Sequence, residues 1–337
     1  MKFGVALPTG MEGLMYPIPF TEPGSLLEIA QRAEGMGYDS IWPNDHFTTQ
    51  IYVRETWGRS PNYFDPLITL SHIAGATERI RLATGIAVLP IRNPVILAKQ
   101  AATLDILSGG RLILGIGLGA YREEFEAVHP ELPLRARPVL LEEGLRALRL
   151  LLDEPVVSFK GRYVSFSGVE MFPKPVQRPL PIYIGGNAVE GIRRTAEYGD
   201  GWMPAMLTVA EIADCLEKMR EFGRRAGRSV ADIDIAPQFG VSIAGDRDEA
   251  FKTFGASQVY RHMVSLKEST LRGQVVDAAS DILDRNLIGT PGDIIKRVEA
   301  YAEAGATHMA GLIFVGNRVG DVLEGMEVFA REVLPSF

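Results

Sequence analysis

"RLATGIAVLPIRNPVILAKQAATLDILSGGRLILGIGLG", residues 81–119, sets a short apolar run, a helical stretch and a second apolar run end to end. Strands rich in apolar and β-branched residues, joined through a helix, are the unit of a parallel sheet. The alternation recurs on both sides of this stretch. "KFGVALP" precedes "GSLLEIAQRAEGMG", and "YDSIWP" precedes "DPLITLSHIAGATERI". A helix from about Arg137 to Leu152 follows "RLILGIGLG"; "PIYIGG", "DGWMPA", "IDIAPQFGVSI" and "THMAGLIFV" are each followed by a helix candidate. Eight such units predict an α/β fold, a closed (β/α)8 barrel in preference to an open doubly wound sheet.

Length agrees with one large barrel. The 337 residues, 46% hydrophobic and 23% charged, can bury a full core. Three stretches exceed a minimal barrel. Residues 43–64 form a long connection after the second strand, of the kind that serves as a lid or stays disordered. Residues 156–167 alternate around Lys160-Gly161 as a hairpin insertion would. Residues 256–289 read as an insertion after strand seven, helical in part. None has linker composition, so one domain over 1–337 is expected.

Charge and targeting signals narrow the partners. With 35 basic and 42 acidic residues the net charge is −7, and no polybasic block is present. Nucleic acid and membrane are excluded as expected partners. The first ten residues reach Pro8 too early for a signal core, and no apolar run approaches the roughly 20 residues of a membrane span, so a cytoplasmic protein is expected. The single cysteine, Cys215, shares a helical stripe with Ile212, Leu216, Met219 and Phe222, which predicts a packed thiol. The five histidines show no metal-ligand spacing, and there is no G-x-S-x-G elbow.

Three motifs carry chemistry. "SIWPNDHF" puts Asp45 and His46 just past the second strand, on the face where barrel enzymes react. An imidazole with a carboxylate neighbour suits proton transfer near neutral pH. A solvated pair, or Asp45 as a helix cap, is the structural alternative, and adjacency alone leaves both open. "LILGIGLGA" fits a loose G-x-G-x-x-G/A pattern at Gly115, Gly117 and Ala120, which in a Rossmann dehydrogenase would bind NAD. Glycines along a barrel strand also admit a flat ligand or a backbone, and no clean helix follows in "YREEFEA". Gly185, Gly186 and Asn187 end a strand where a helix begins, as either a phosphate site or a tight turn capped by Asn187.

Together "WPNDHF", the stretch 81–119 with its following "EEF", and "PIYIGG…A…GDGW" resemble the luciferase-like monooxygenase superfamily, from the first strand to the last helix. The resemblance implies a barrel holding FMN or the deazaflavin coenzyme F420 over its C-terminal face. The Asp-His ending of the second strand tilts it toward F420. It implies that Asp45 and His46 meet ring or substrate, with His46 as acid, and that Gly85 and Ile86 support the ring's buried face. A cis peptide not preceding proline is implied at Gly85-Ile86. Gly117 and Gly119 would line the tail, and Gly185, Gly186 and Asn187 would take the phosphate. One departure stands out: the family's sugar-phosphate dehydrogenases carry Glu after the glycine pair of strand four, and this chain has Ala120. An apolar substrate pocket is therefore expected from Tyr16, Phe47, Tyr52, Trp57 and Tyr63.

The expected reaction is hydride transfer between F420 and a small, largely apolar substrate. The alternatives are an FMN monooxygenase using O2 and flavin reduced by a partner reductase, and a flavin-binding paralogue without turnover. The resemblance also implies a homodimer through "LITLSHIAGATERI" and "VILAKQAATLDIL".

Overall fold

The computed structural model of the chain describes residues 1–265 and 279–337. β1 (Lys2–Leu7) leads to α1 (Pro23–Met36), and β2 (Ser40–Pro43) to α2 (Ile51–Thr56) and α3 (Pro66–Ala74). β3 (Arg81–Ala83) and β4 (Ala87–Val88) precede α4 (Pro94–Leu107); β5 (Leu112–Gly117) precedes α5 (Arg122–Val128) and α6 (Arg137–Asp153). A hairpin of β6 (Val157–Lys160) and β7 (Ser165–Val169) follows, then β8 (Ile182–Gly185), α7 (Val189–Tyr198), β9 (Gly201–Met203) and α8 (Val209–Ala226). Next come β10 (Asp234–Ile235), β11 (Gly240–Ile243), α9 (Arg247–Ala256) and α10 (Gln258–Ser265). α11 (Ala279–Asp284), β12 (Leu287–Gly289), α12 (Pro291–Glu303), β13 (His308–Phe314) and α13 (Val319–Glu332) close the chain.

Local chemistry sets several helix starts. Asp65 and Asn93 each accept two first-turn N–H groups, ahead of Pro66 and Pro94 at the first helical position. Thr208 with Glu211 and Thr290 with Asp293 form capping boxes on α8 and α12. Cys215 lies on the buried stripe of α8 with Ile212, Leu216 and Met219.

The strands form one curled parallel sheet in the order β10-β9-β8-β5-β3-β2-β1-β13-β11-β12, with β4 beside β5. Side chains alternate across it. Ile41, Leu82, Leu114, Ile182 and Trp202 face the helices, in the main core. Trp42, Ala83, Ile113, Tyr183, Met203, Ala236 and Ala310 meet on the other face in one small cluster. Residues drawn from so many strands can meet only because the sheet curls. The segment 234–243 is bonded on both sides: Ala236 N–H donates to the Trp202 carbonyl, while Thr307 and Ile313 N–H donate to the Ile235 and Phe239 carbonyls.

Several expectations change in detail. The expected third strand breaks at 84–86, where the Gly85-Ile86 peptide is cis, the position that the resemblance implies. "YREEFEA" supplies the short helix α5, contrary to the reading of that stretch. The long connection 43–64 is ordered and holds α2. Of the insertion expected at 256–289, residues 258–265 and 279–284 are helical, and 266–278 lie outside the described residues.

The hairpin is antiparallel and hangs on one carboxylate. Glu143 of α6 accepts the N–H groups of Arg162, Tyr163 and Val164 at 2.6–2.9 Å. Burial opposes its charge, yet these three bonds win and hold its pKa below the ordinary value. Glu143→Ala should therefore loosen the hairpin by about 1–3 kcal/mol. Hydrogen exchange at Arg162–Val164 should speed by roughly tenfold or more while β1 and β13 amides keep their rates; equal protection in the variant would refute this role.

Candidate functional site

Pro43 ends β2, and the chain delivers Asn44, Asp45 and His46 in succession at its C-terminal edge. Asn44 is spent on the neighbouring loop: its side chain accepts Gly10 N–H and donates to the Gly10 carbonyl, both at 2.9 Å. Asp45 and His46 then part company. Asp45, 4% exposed, takes Arg92 through both oxygens at 2.7 and 2.8 Å and accepts Val88 N–H at 2.9 Å. Arg92 also reaches Asp65, the cap of α3, at 2.9 Å. Burial opposes the guanidinium charge, but Asp45 and Asp65 outweigh it and raise the Arg92 pKa.

His46 finds a different carboxylate. Its Nδ1 lies 3.0 Å from Glu124 Oε1 on α5, and that oxygen also accepts Phe47 N–H at 2.9 Å. Gln50 Nε2 stands 3.4 Å from both Glu124 Oε1 and His46 Nδ1. Tyr63 donates to Gln50 Oε1 at 2.8 Å, and the amide NH2 is turned to the carboxylate, which can only accept. The neighbouring Glu123 accepts Ile51 N–H at 3.1 Å, so α5 grips the loop after β2 at two points. Glu124 Oε2 is buried and has no hydrogen-bond partner.

Aromatic rings wall this group. Tyr63 and Tyr121 lie 5.7 and 5.4 Å from the His46 ring, centroid to centroid. Tyr52 hydroxyl is 2.8 Å from His262 Nδ1, bringing α10 to α2. Burial, helped by the nearby His46, pushes the His262 pKa down to about 3, so this ring is neutral. Trp57 packs with Tyr52 and Tyr121, its buried Nε1 without a partner. Two aromatics expected in this wall sit elsewhere. Tyr16 is in the main core, stacked on Phe20 and donating to the Phe314 carbonyl, and Phe47 is 63% exposed.

The expected cofactor residues converge on Ile86, although not all as pictured from sequence. Ile86 packs against the inner cluster and occupies the space that a side chain at Gly117 or Gly185 would need. Val88 does the same at Gly119. Asn187 does not cap α7, whose N-cap is Ala188 without a side-chain bond. It instead exchanges two hydrogen bonds with the Ala205 backbone. Gly186, at φ 129°, has open space around it.

Sequence reasoning missed Glu124, Gln50, Tyr121, His262 and Arg92. The paired acids of "YREEFEA" were the one available signal, because no spacing rule connects positions 46 and 124. A separate cavity of about 430 Å³ opens at the N-terminal strand ends beside Lys2, Ser40, Tyr183 and His308. That is the face on which barrels keep stability residues. Among the described residues no cluster suits a metal ion and no helix is long and apolar enough to cross a membrane.

Comparisons with known proteins bear on the family and the fold. Residues 1–308 match the family model for luciferase-like monooxygenases. An F420-dependent glucose-6-phosphate dehydrogenase of Amycolatopsis mediterranei (strain U-32) is 27% identical over 324 residues, 93% of this chain and 94% of that protein. An F420-dependent secondary alcohol dehydrogenase, solved in complex with an F420-acetone adduct, superposes with a TM-score of 0.80 at 24% identity, over 99% of this chain and 98% of the other. The oxygenating constituent of 3,6-diketocamphane monooxygenase from Pseudomonas putida, in complex with FMN, gives 0.74 at 17% identity, over 99% and 98%. These two likenesses are of fold. Fold and relatives together define an α/β oxidoreductase. The chain belongs to the luciferase-like monooxygenase family.

The contacts of Asp45 set a measurable expectation. Asp45→Ala leaves Arg92 with Asp65 alone and Val88 N–H without its acceptor, and should cost about 3 kcal/mol in urea unfolding. A loss near 1 kcal/mol, the worth of a helix cap, would return Asp45 to a capping role.

Proposed function

We propose that this enzyme transfers hydride between coenzyme F420 and a small, largely apolar substrate, with His46 moving the accompanying proton. The observation that carries this reading is His46 at the C-terminal edge of the sheet, its Nδ1 side held by a buried carboxylate and its ring walled by tyrosines. Relatives described as F420-dependent, matched over most of the chain, add to it. The residues fit such a cofactor. Ile86 offers an apolar support for a flat ring, and the open space at Gly186 with the uncapped start of α7 suits a phosphate. Bound there, F420 would supply or accept the hydride. Tyr52, Trp57 and Tyr63 exclude water and shape the substrate's apolar side.

The same reading takes the sheet as a closed (β/α)8 barrel of one domain, with an insertion after strand seven. It makes the enzyme a cytoplasmic homodimer; exposed Ile68 and Ile96 on α3 and α4 suit such an interface. Calorimetric titration with F420, FMN and NAD, followed by turnover of apolar carbonyls, imines and activated alkenes, tests the proposal. F420 should bind, and His46→Ala should lower kcat by about 10²-fold with cofactor affinity little changed. FMN binding with O2-dependent turnover on supply of reduced flavin would favour the monooxygenase alternative. Binding without any turnover would favour a non-catalytic paralogue, and binding of NAD alone would overturn the reading.

A further inference from the structure

We infer that Glu124 is the positioning residue that fixes the tautomer of His46, making Nε2 the atom that gives and takes the proton. Three groups converge on Glu124 Oε1: Phe47 N–H at 2.9 Å, His46 Nδ1 at 3.0 Å and Gln50 Nε2 at 3.4 Å. Phe47 N–H can only donate, so this oxygen is an acceptor. Gln50 turns its amide NH2 to the pair, because Glu124 Oε1 only accepts, and its carbonyl oxygen then takes Tyr63 O–H at 2.8 Å. His46 Nδ1 therefore meets a carboxylate oxygen, and the favourable arrangement places a proton on Nδ1. A neutral ring protonated there has a bare lone pair at Nε2.

The device is more constrained than an exposed histidine pair. The Glu124 side chain is 1% exposed and that of His46 16%. Gly10 leaves the ring its place: a Cβ there would lie 3.1 Å from His46 Cδ2, so a larger residue would press on it. Turning the ring over about Cβ–Cγ would put Cδ2 in the place of Nδ1 and break the Glu124 bond. A carboxylate holding one nitrogen so that the other reacts is the logic of the serine-protease triad, here resting on unrelated elements.

This inference rests on the proposed hydride transfer for its consequence and not for its geometry. In the reducing direction a substrate carbonyl carbon would take hydride from a C–H bond of reduced F420, which is thereby oxidised, and the C=O π pair would move to oxygen. The Nε2 proton of the His46 imidazolium bonds that oxygen. What remains is the neutral ring with its proton on Nδ1, the form that Glu124 accepts from. The alcohol product leaves, and the reverse direction returns the proton to Nε2.

The test separates the two levels. Ring 15N shifts of His46, assigned by its loss in His46→Ala, are read in the cofactor-free protein near neutral pH. We expect a protonated Nδ1 and a bare Nε2. Glu124→Gln should keep this pattern, since Phe47 N–H holds the amide oxygen in place. Glu124→Leu removes the acceptor and should shift the proton toward Nε2. With F420 as cofactor, kcat should fall about 10²-fold in Glu124→Leu, with less change in KM, and fall less in Glu124→Gln. A neutral ring protonated at Nε2 and bare at Nδ1 in the parent protein would overturn the inference whatever the variants do. So would Nδ1 protonation and kcat that survive Glu124→Leu. Should the protein bind no F420 while the ring pattern is as expected, the proposed function fails and the positioning role stands.

Discussion

One buried carboxylate ties the candidate site together. Asp45 fixes Arg92 and Val88, and through Arg92 the cap of α3, so the ends of β2, β4 and α3 share one charge cluster. Removing a charge of this kind from water is costly, and only its full set of partners offsets the cost. The consequence is geometric: with the ends of β2 and β4 pinned, the next residue, His46, leaves the strand toward α5. Asp45 and His46 adjoin in sequence but serve different halves of the structure, one holding the sheet and the other facing the tyrosines.

The second constraint is steric. A side chain at Gly115 would put its Cβ 1.9 Å from the Thr84 carbonyl oxygen, at Gly117 2.6 Å from Ile86 Cδ1, and at Gly119 2.5 Å from Val88 Cγ1. Glycines spaced like a dinucleotide fingerprint are thus required by the neighbouring strand. They admit the bulge at 84–88, which Gly85 N–H fastens to the Pro43 carbonyl at 2.7 Å. Gly186 differs, because nothing among the described residues fills its side-chain position. The two glycine motifs look alike in sequence and are separated only by what approaches them.

This contrast explains what could be read from the chain. Strand and helix order was legible because apolar periodicity and caps such as Asp65-Pro66 and Asn93-Pro94 are local. His46 was legible as a candidate because it follows a strand end. Its partner was not, since Glu124 arrives from a short helix 78 positions away, and "YREEFEA" reads locally as a solvated polar turn. Tyr16 failed for a related reason: an aromatic in a loop near the site can equally turn inward, and its hydroxyl found the Phe314 carbonyl in the core. Phe47 went the other way, its backbone tied to Glu124 and its ring left in solvent.

The polar network around His46 continues beyond the residues that touch it. Tyr63, which orients Gln50, follows Asn62, whose N–H donates to Glu12 Oε2 at 2.8 Å. The other Glu12 oxygen accepts Phe20 and Thr21 N–H, each at 2.8 Å. Glu12 is fully buried and joins the loops after β1 and β2 beneath the tyrosine wall. Its oxygens are both used, as a structural carboxylate requires. Glu124 differs: Oε1 meets three neighbours, while Oε2 is buried without a partner among the described residues. The two carboxylates therefore separate by what they hold: Glu12 ties the backbone of two loops, and Glu124 ties the His46 ring to the Phe47 backbone.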